Sequence, residues 1–330
     1  MSASVAGRSP AMFRFTSDSY APRERLAAWR EIFGRTVVDI DITPSGDAPF
    51  RSDATVCQLP GLGVLFVSTV AMHMEHPRAL VRDDDLSFVA APTARWIAAQ
   101  RGRRHVLGRG AGVLLSNGEP GAVTLCDAAS FVSFRVPRAA IAPLVRDLDE
   151  AICRPVAAHN RALRLLVGYL GCARATEAFV SPALQRLATT HVYDLIAVAF
   201  GATRDGAEAA RTRGLPAARL NAAKAYVVDH LERGNLSAAM VGSELGVTER
   251  YIQMLFAREG LSFSEFVLSQ RLARAHAMLR DPRHAESTIG SIALAVGFND
   301  LSHFNRSFRR RYGCRPSDTR GQPRRVSDER

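Results

Sequence analysis

The chain has 330 residues, enough for two domains that each bury a core. Apolar residues make up 47% and charged residues 23%, a globular composition, and no window approaches the roughly 20 unbroken apolar residues of a membrane span. The net charge of +11 suits an anionic partner, and a single lysine, Lys224, among 43 cationic residues leaves nearly all of that charge on arginine, whose planar fork matches phosphates and guanine edges.

The opening residues, 1–10, carry no apolar secretory stretch, so the expected compartment is the cytoplasm, on the nucleoid when bound. Leu26, Trp29, Ile32 and Phe33 then recur at helical spacing within Arg23 to Phe33, which predicts one amphipathic helix. From Val37 to Pro137 short β-type runs alternate with Gly, Pro and Asp, including 63–70, 86–90 and 131–136, the pattern of a small barrel or sandwich. Helices are expected over 138–147, 160–174 and 182–200. The five cysteines are scattered without any C-x-x-C pair, which predicts reduced thiols and neither a disulfide framework nor a zinc site. His73, Glu75, His76 and, further on, His105 invite a metal reading, but their spacing is not that of a metal-holding barrel, and no metal or other cofactor is expected.

The segment 201–216 is poor in large apolar residues and rich in small or breaking ones, and is expected to link an effector-sensing and dimerisation domain, 1–200, to an all-helical domain, 217–320. Residues 321–330 are polar and expected to be a disordered tail. Within the helical third a pattern repeats at an offset of 51: Gly242 with Ala293, and Gly246 with Gly297. Each glycine is followed by an apolar residue and a polar helix starter, Val247 and Thr248 in one copy, Phe298 and Asn299 in the other. A small residue where two helices cross, a glycine turn and a capped second helix form the grammar of a helix-turn-helix. One copy alone would be as well read as a plain helical hairpin; two in tandem favour DNA binding.

In the first copy Ile252, Leu255 and Phe256 face the core, leaving Arg250, Gln253 and Met254 together on another face. In the second, Phe304, Phe308 and Tyr312 form the core stripe and Ser302, His303 and Arg306 share the opposing side. These six are the candidate base-contacting residues, since arginine bridges guanine O6 and N7 and glutamine pairs with adenine. Arg309, Arg310, Arg311 and Arg315 extend the cationic surface toward phosphates. Ser262 and Glu265 form a capping box opening a joining helix that runs to Arg280 and spans about 28 Å, near the roughly 34 Å of one DNA turn.

The segment 217–319 resembles the DNA-binding domain of the AraC/XylS family of bacterial regulators, through Arg271-Leu272-Ala273-Arg274-Ala275, Ile292-Ala293, Val296-Gly297-Phe298, Ser302-His303-Phe304, Phe308-Arg309-Arg310, and Gly313 with Pro316. Carried over by position, the family's base-contacting sites fall on the same six residues. Two departures stand out: Gly242, where alanine is usual, which should loosen its helix, and Met254, which donates no hydrogen bond and suits a thymine methyl instead. The front part is similar to the sensor half of the XylS-like and FeaR-like branch, through Arg25-Leu26, Trp29-Arg30, 131–134, Val136-Pro137-Arg138 and Leu163 to Leu170.

The resemblance implies an α+β protein: a cupin-like β-barrel with packing helices, then two helix-turn-helix units joined by a long helix. It implies a non-enzymatic, small-molecule-responsive transcription activator, working as a homodimer with double-stranded promoter DNA and RNA polymerase. Phe66, Met72, Met74, Phe88 and Trp96 could line the effector pocket or simply fill the core, so the effector-binding residues stay unassigned. Three alternatives remain: a metal-dependent cupin enzyme or a DNA-repair methyl acceptor fused to a DNA-binding tail, and an architectural DNA binder with no effector.

Overall fold

The computed structural model describes residues 12–46, 48–175 and 182–320, with the side chains of 35–37, 175 and 182–183 left aside. The expected tail, 321–330, lies outside the described residues. Two compact units divide at 218/219.

The first unit is built on eleven strands: β1 Met12–Thr16, β2 Asp41–Pro44, β3 Ser52–Leu59, β4 Leu62–Thr69, β5 Met72–His76, β6 Leu86–Ala90, β7 Trp96–Gln100, β8 Arg103–Leu107, β9 Gly112–Ser116, β10 Gly121–Leu125 and β11 Ala129–Val136. They form two antiparallel sheets, ordered β1-β3-β4-β11-β6-β9 and β2-β5-β10-β7-β8. The expected barrel takes this two-sheet form. Side chains alternate along each strand, so Met72, Met74, Trp96 and Ala98 turn between the sheets while Val132, Phe134 and Val136 lie on the other face of β11 from Phe131 and Arg135; all are buried in one core. Between β1 and β2 the predicted helix is present as α1, Arg25–Ala28, continuing as a wider π-helix over Trp29–Val38. Its Trp29 is buried and stacks on Phe33 at 4.6 Å between ring centroids.

After the sheets come α2 Arg138–Ile141, α3 Leu148–Ala151, α4 Arg161–Ala175 and α5 Pro182–Phe200. The stretch 201–216, expected as an open linker, differs: α6 spans Arg204–Thr212 and α7 spans Gly214–Asp229. Thr203 caps α6 by accepting from the Gly206 amide at 3.1 Å, and its own amide donates to the Leu144 carbonyl at 2.8 Å. Ala210 is fully buried, and a Cβ on Gly206 would stand 2.6 Å from the Leu144 carbonyl oxygen. Small residues thus pack the segment into the first unit without the large apolar side chains that mark a core in sequence. The buried carboxylate of Asp194, on α5, pairs with Arg213 at 2.9 Å where α7 begins.

The second unit adds α8 Ala238–Leu245, α9 Glu249–Ala257, α10 Phe263–Leu279, α11 Ile289–Ala295, α12 Leu301–Tyr312 and α13 Pro316–Thr319. It has two cores. Leu220, Val227, Val241, Ile252, Leu255 and Phe256 gather in one, and Ile292, Val296, Phe298, Phe304 and Phe308 in the other. The joining helix α10 serves both, with Phe263 and Val267 in the first and Leu272, Ala275 and Leu279 in the second.

Candidate DNA-binding surface and effector cavity

In the first helical pair, Ser237 caps α8 by accepting from the Met240 amide at 3.3 Å, and Gly246 ends it in the left-handed region at φ 63°. The Val247 amide donates back to the Gly242 carbonyl at 2.8 Å. A Cβ on Gly242 would lie 2.8 Å from the Val247 carbonyl oxygen, so this glycine, read from sequence as a loosening departure, is what lets the turn close on α8. Thr248 then accepts from the Tyr251 amide at 3.2 Å and starts α9. Ile252, Leu255 and Phe256 are buried, which leaves Arg250, Gln253 and Met254 exposed. The Gln253 amide donates to Glu249 at 3.1 Å.

Ser262 and Glu265 form the predicted capping box of α10: the Glu265 amide donates to the Ser262 hydroxyl at 3.2 Å and the Ser262 amide to the Glu265 carboxylate at 2.7 Å. The Ser262 amide and then its hydroxyl, which donates to the same carboxylate at 2.8 Å, hold the Glu265 carboxyl below its ordinary range. Arg271, one residue of the family motif, does more than its place in that motif indicates. In the structure its Nε donates to the Leu231 carbonyl at 3.2 Å and an Nη to the Arg233 carbonyl at 2.6 Å. Gly297, at φ 91°, fits against the same place: a Cβ there would fall 2.1 Å from the Leu231 oxygen.

The second pair follows the first except in its turn. Thr288 caps α11 by accepting from the Ser291 amide at 3.0 Å. From Gly297 the chain needs three steps to the next cap, whereas Gly246 needs two: the cap is Asp300, accepting from the Ser302 and His303 amides at 2.7 and 3.1 Å, and not Asn299. Asn299 packs instead on Gly234, where a Cβ would meet its side chain at 2.4 Å. The amides hold the Asp300 carboxyl below its ordinary range, His303 first and Ser302 next. In α12 Phe304 and Phe308 are buried, their rings 5.6 Å apart; Tyr312, half-buried, extends the stripe and stacks on His276 at 4.4 Å. Ser302, His303 and Arg306 are exposed, as are Arg309, Arg310, Arg311 and Arg315, and no guanidinium of these four is paired with a carboxylate among the described residues, although the Arg315 backbone amide donates to Asp318 at 2.9 Å.

Between the sheets of the first unit lies a cavity of about 450 Å³ that opens to solvent. Of the five candidates named from sequence only Met74 lines it; Met72, Phe88 and Trp96 are core, and Phe66 lies under the Arg174 guanidinium. The cavity lining is mixed: Ile40, Leu59, Leu115 and Phe131 supply apolar surface. On β11, four residues along from Phe131, stands Arg135, whose guanidinium binds Asp85 at 3.0 Å, Asp39 at 3.3 Å and, closely, Asp83. Beside it the His76 ring lies 2.6 Å from the Asp39 carbonyl and 2.9 Å from that of Asn117. His73 bonds Thr124 at 2.8 Å and, by the alternation along β5, stands with Glu75 on the opposite face from His76, so the three do not converge on one ion. Burial raises the thiols of Cys57, to about 11, and Cys153, the reverse of an activated methyl acceptor.

A capped helix pair, repeated with an exposed basic face, in a chain that also carries a sheet-rich unit with a cavity, defines a helix-turn-helix transcription regulator with an effector-binding-like domain. A family described as the AraC-binding-like domain matches residues 29–200, and one described as a helix-turn-helix domain matches residues 241–322. The chain belongs to the AraC family of transcription regulators, which are not enzymes. It is 31% identical over 280 residues to the transcriptional activator RhrA of Rhizobium meliloti (strain 1021), covering 83% of this chain and 87% of that one. It is 30% identical over 112 residues to the arabinose operon regulatory protein of Escherichia coli (strain K12), covering 33% of this chain and 37% of that one. Among solved structures, the AraC-like transcriptional activator CuxR is similar at 19% identity and a TM-score of 0.48, over 81% of this chain and 95% of that chain.

Proposed function

We propose that this regulator activates transcription in response to a small molecule held in the cavity between its sheets. The observation that carries the reading is that cavity: about 450 Å³ in volume, lined by apolar side chains and by a polar cluster centred on Arg135, it has the size and mixed lining of a small-molecule site. On the DNA side, Arg250, Gln253 and Met254 read bases from the first pair, and Ser302, His303 and Arg306 from the second. Arg309, Arg310, Arg311 and Arg315 grip phosphates. The working species is a cytoplasmic homodimer that recruits RNA polymerase at promoters, in line with the activator named for the 31% identical relative. Residues 1–200 are its sensing and dimerisation part and 217–320 its DNA-binding part.

The test is a thermal-shift panel of small acids, amines and aromatics on the full chain, repeated with Leu115→Trp to fill the cavity. A ligand at 100 times its dissociation constant adds about 2.7 kcal/mol of stability. The expected result is a shift that Leu115→Trp abolishes; a shift that survives the filled cavity places the ligand elsewhere, and a flat response across the panel favours an effector-independent DNA binder.

A further inference from the structure

We propose that Asn305 reads an adenine in the DNA segment facing the second helix pair, through a double hydrogen bond to N6 and N7. The inference rests on the DNA-binding reading above and adds a residue to it. Counted from their structural caps, Thr248 and Asp300, α9 and α12 coincide in burial: Ile252 with Phe304, Leu255 with Ser307 and Phe256 with Phe308 are all buried. On the same count Arg250 matches Ser302, Met254 matches Arg306, and Gln253 matches Asn305. The repeat at 51 residues hides this, because it would set Gln253 opposite the buried Phe304.

Asn305 thus stands where the first pair carries its glutamine, exposed, three residues after Ser302 and next to Arg306. Its side-chain amide bonds to no other described residue, so its donor and its acceptor are both free. In the major groove adenine alone offers the complementary pair, an N6 donor beside an N7 acceptor; guanine offers two acceptors there. His303, by contrast, matches the half-buried Tyr251 and leans toward Phe298, with ring centroids 5.7 Å apart.

Sites are selected from a random DNA library at fixed salt with the full chain, unaltered and as Asn305→Ala and Arg306→Ala. The unaltered chain is expected to enrich two blocks. The block that degrades in Arg306→Ala contains an adenine, and Asn305→Ala releases that one position while keeping the other block, which shows that the variant is folded. Replacing that adenine by 7-deazaadenine, which removes only the N7 acceptor, weakens binding of the unaltered chain about tenfold and leaves Asn305→Ala unchanged. Identical motifs for the unaltered chain and Asn305→Ala, or full tolerance of 7-deazaadenine, overturns the assignment and leaves DNA reading intact. No enrichment by the unaltered chain overturns both.

Discussion

Arg271, on the joining helix, donates its Nε to the carbonyl of Leu231 at 3.2 Å, and its second bond, to Arg233, fixes the turn between α7 and α8. With Gly297 packed against the same carbonyl, one arginine connects the first core to the turn of the second pair. Hydrogen bonds from a charged donor are worth about 1.5–3 kcal/mol each, less where water competes, as it does at this half-buried site. Arg271→Ala should therefore lower the stability of the DNA-binding unit by about 2 kcal/mol in urea unfolding. Arg271→Lys, with a point charge in place of a fork, should recover less than half. An Arg271→Ala variant as stable as the unaltered chain would mean the two bonds contribute nothing net.

Gly242 gives a prediction opposite in sign to helix propensity. On an exposed helix, glycine to alanine stabilises by about 1 kcal/mol. Here the new methyl would meet the Val247 carbonyl at 2.8 Å, within the turn that the Val247 amide closes on Gly242 itself. Gly242→Ala should lower the melting temperature, with a loss of about 1–3 kcal/mol from overpacking. A rise in melting temperature would show that the α8–α9 crossing relaxes freely.

The helix faces were legible in the sequence because Ile252, Leu255, Phe256, Phe304 and Phe308 are large, apolar and correctly spaced. The length of the second turn was not legible. Asn299 and Asp300 are both good helix caps, and the choice between them is made by Gly234, far away in sequence, which receives the Asn299 side chain. The folded character of 201–216 was hidden for a similar reason: Gly206 and Ala210 are buried without looking apolar in bulk. The polar part of the cavity was out of reach because Arg135 lies on β11 while Asp39, Asp83 and Asp85 come from connecting segments about 50 to 100 residues earlier, and they meet only in the folded unit.

That polar cluster makes its own prediction. Three carboxylates share Arg135, and removing the guanidinium would leave them facing one another in a half-buried place. Arg135→Met should cost about 2 kcal/mol or more in thermal or urea unfolding, short of the 3–5 of a fully buried pair because solvent screens part of it. Adding Asp85→Asn should restore part of the loss; additive losses in the double variant would show that the two residues do not interact.

The Asp300 cap predicts a pH dependence. Its carboxyl titrates below the ordinary value in the folded chain because the His303 and Ser302 amides favour the charged form. A depressed folded value means stabilisation that is present above the unfolded pKa, near 4, and lost as pH falls through the folded value. Asp300→Asn keeps a good capping side chain but cannot titrate, so its melting temperature should fall less than that of the unaltered chain between about pH 4 and pH 2. Parallel curves would mean that Asp300 is not linked to folding.

Met254 and Arg306 occupy the same place on their helices, counted from the caps, and so the two halves of the DNA site should differ in a way one substitution can remove. Methionine offers no hydrogen bond, whereas arginine bridges guanine O6 and N7, worth about 1–3 kcal/mol of discrimination. Met254→Arg should create a guanine preference in the block read by α9 and leave the block read by α12 unchanged. Arg310→Ala, at a phosphate-facing place, should instead weaken all sequences alike and lower the salt dependence by about one ion. Both are measured by library selection and by titration across salt concentrations. If Met254→Arg gave no new guanine, α9 would be positioning the protein on the backbone rather than reading bases at that position.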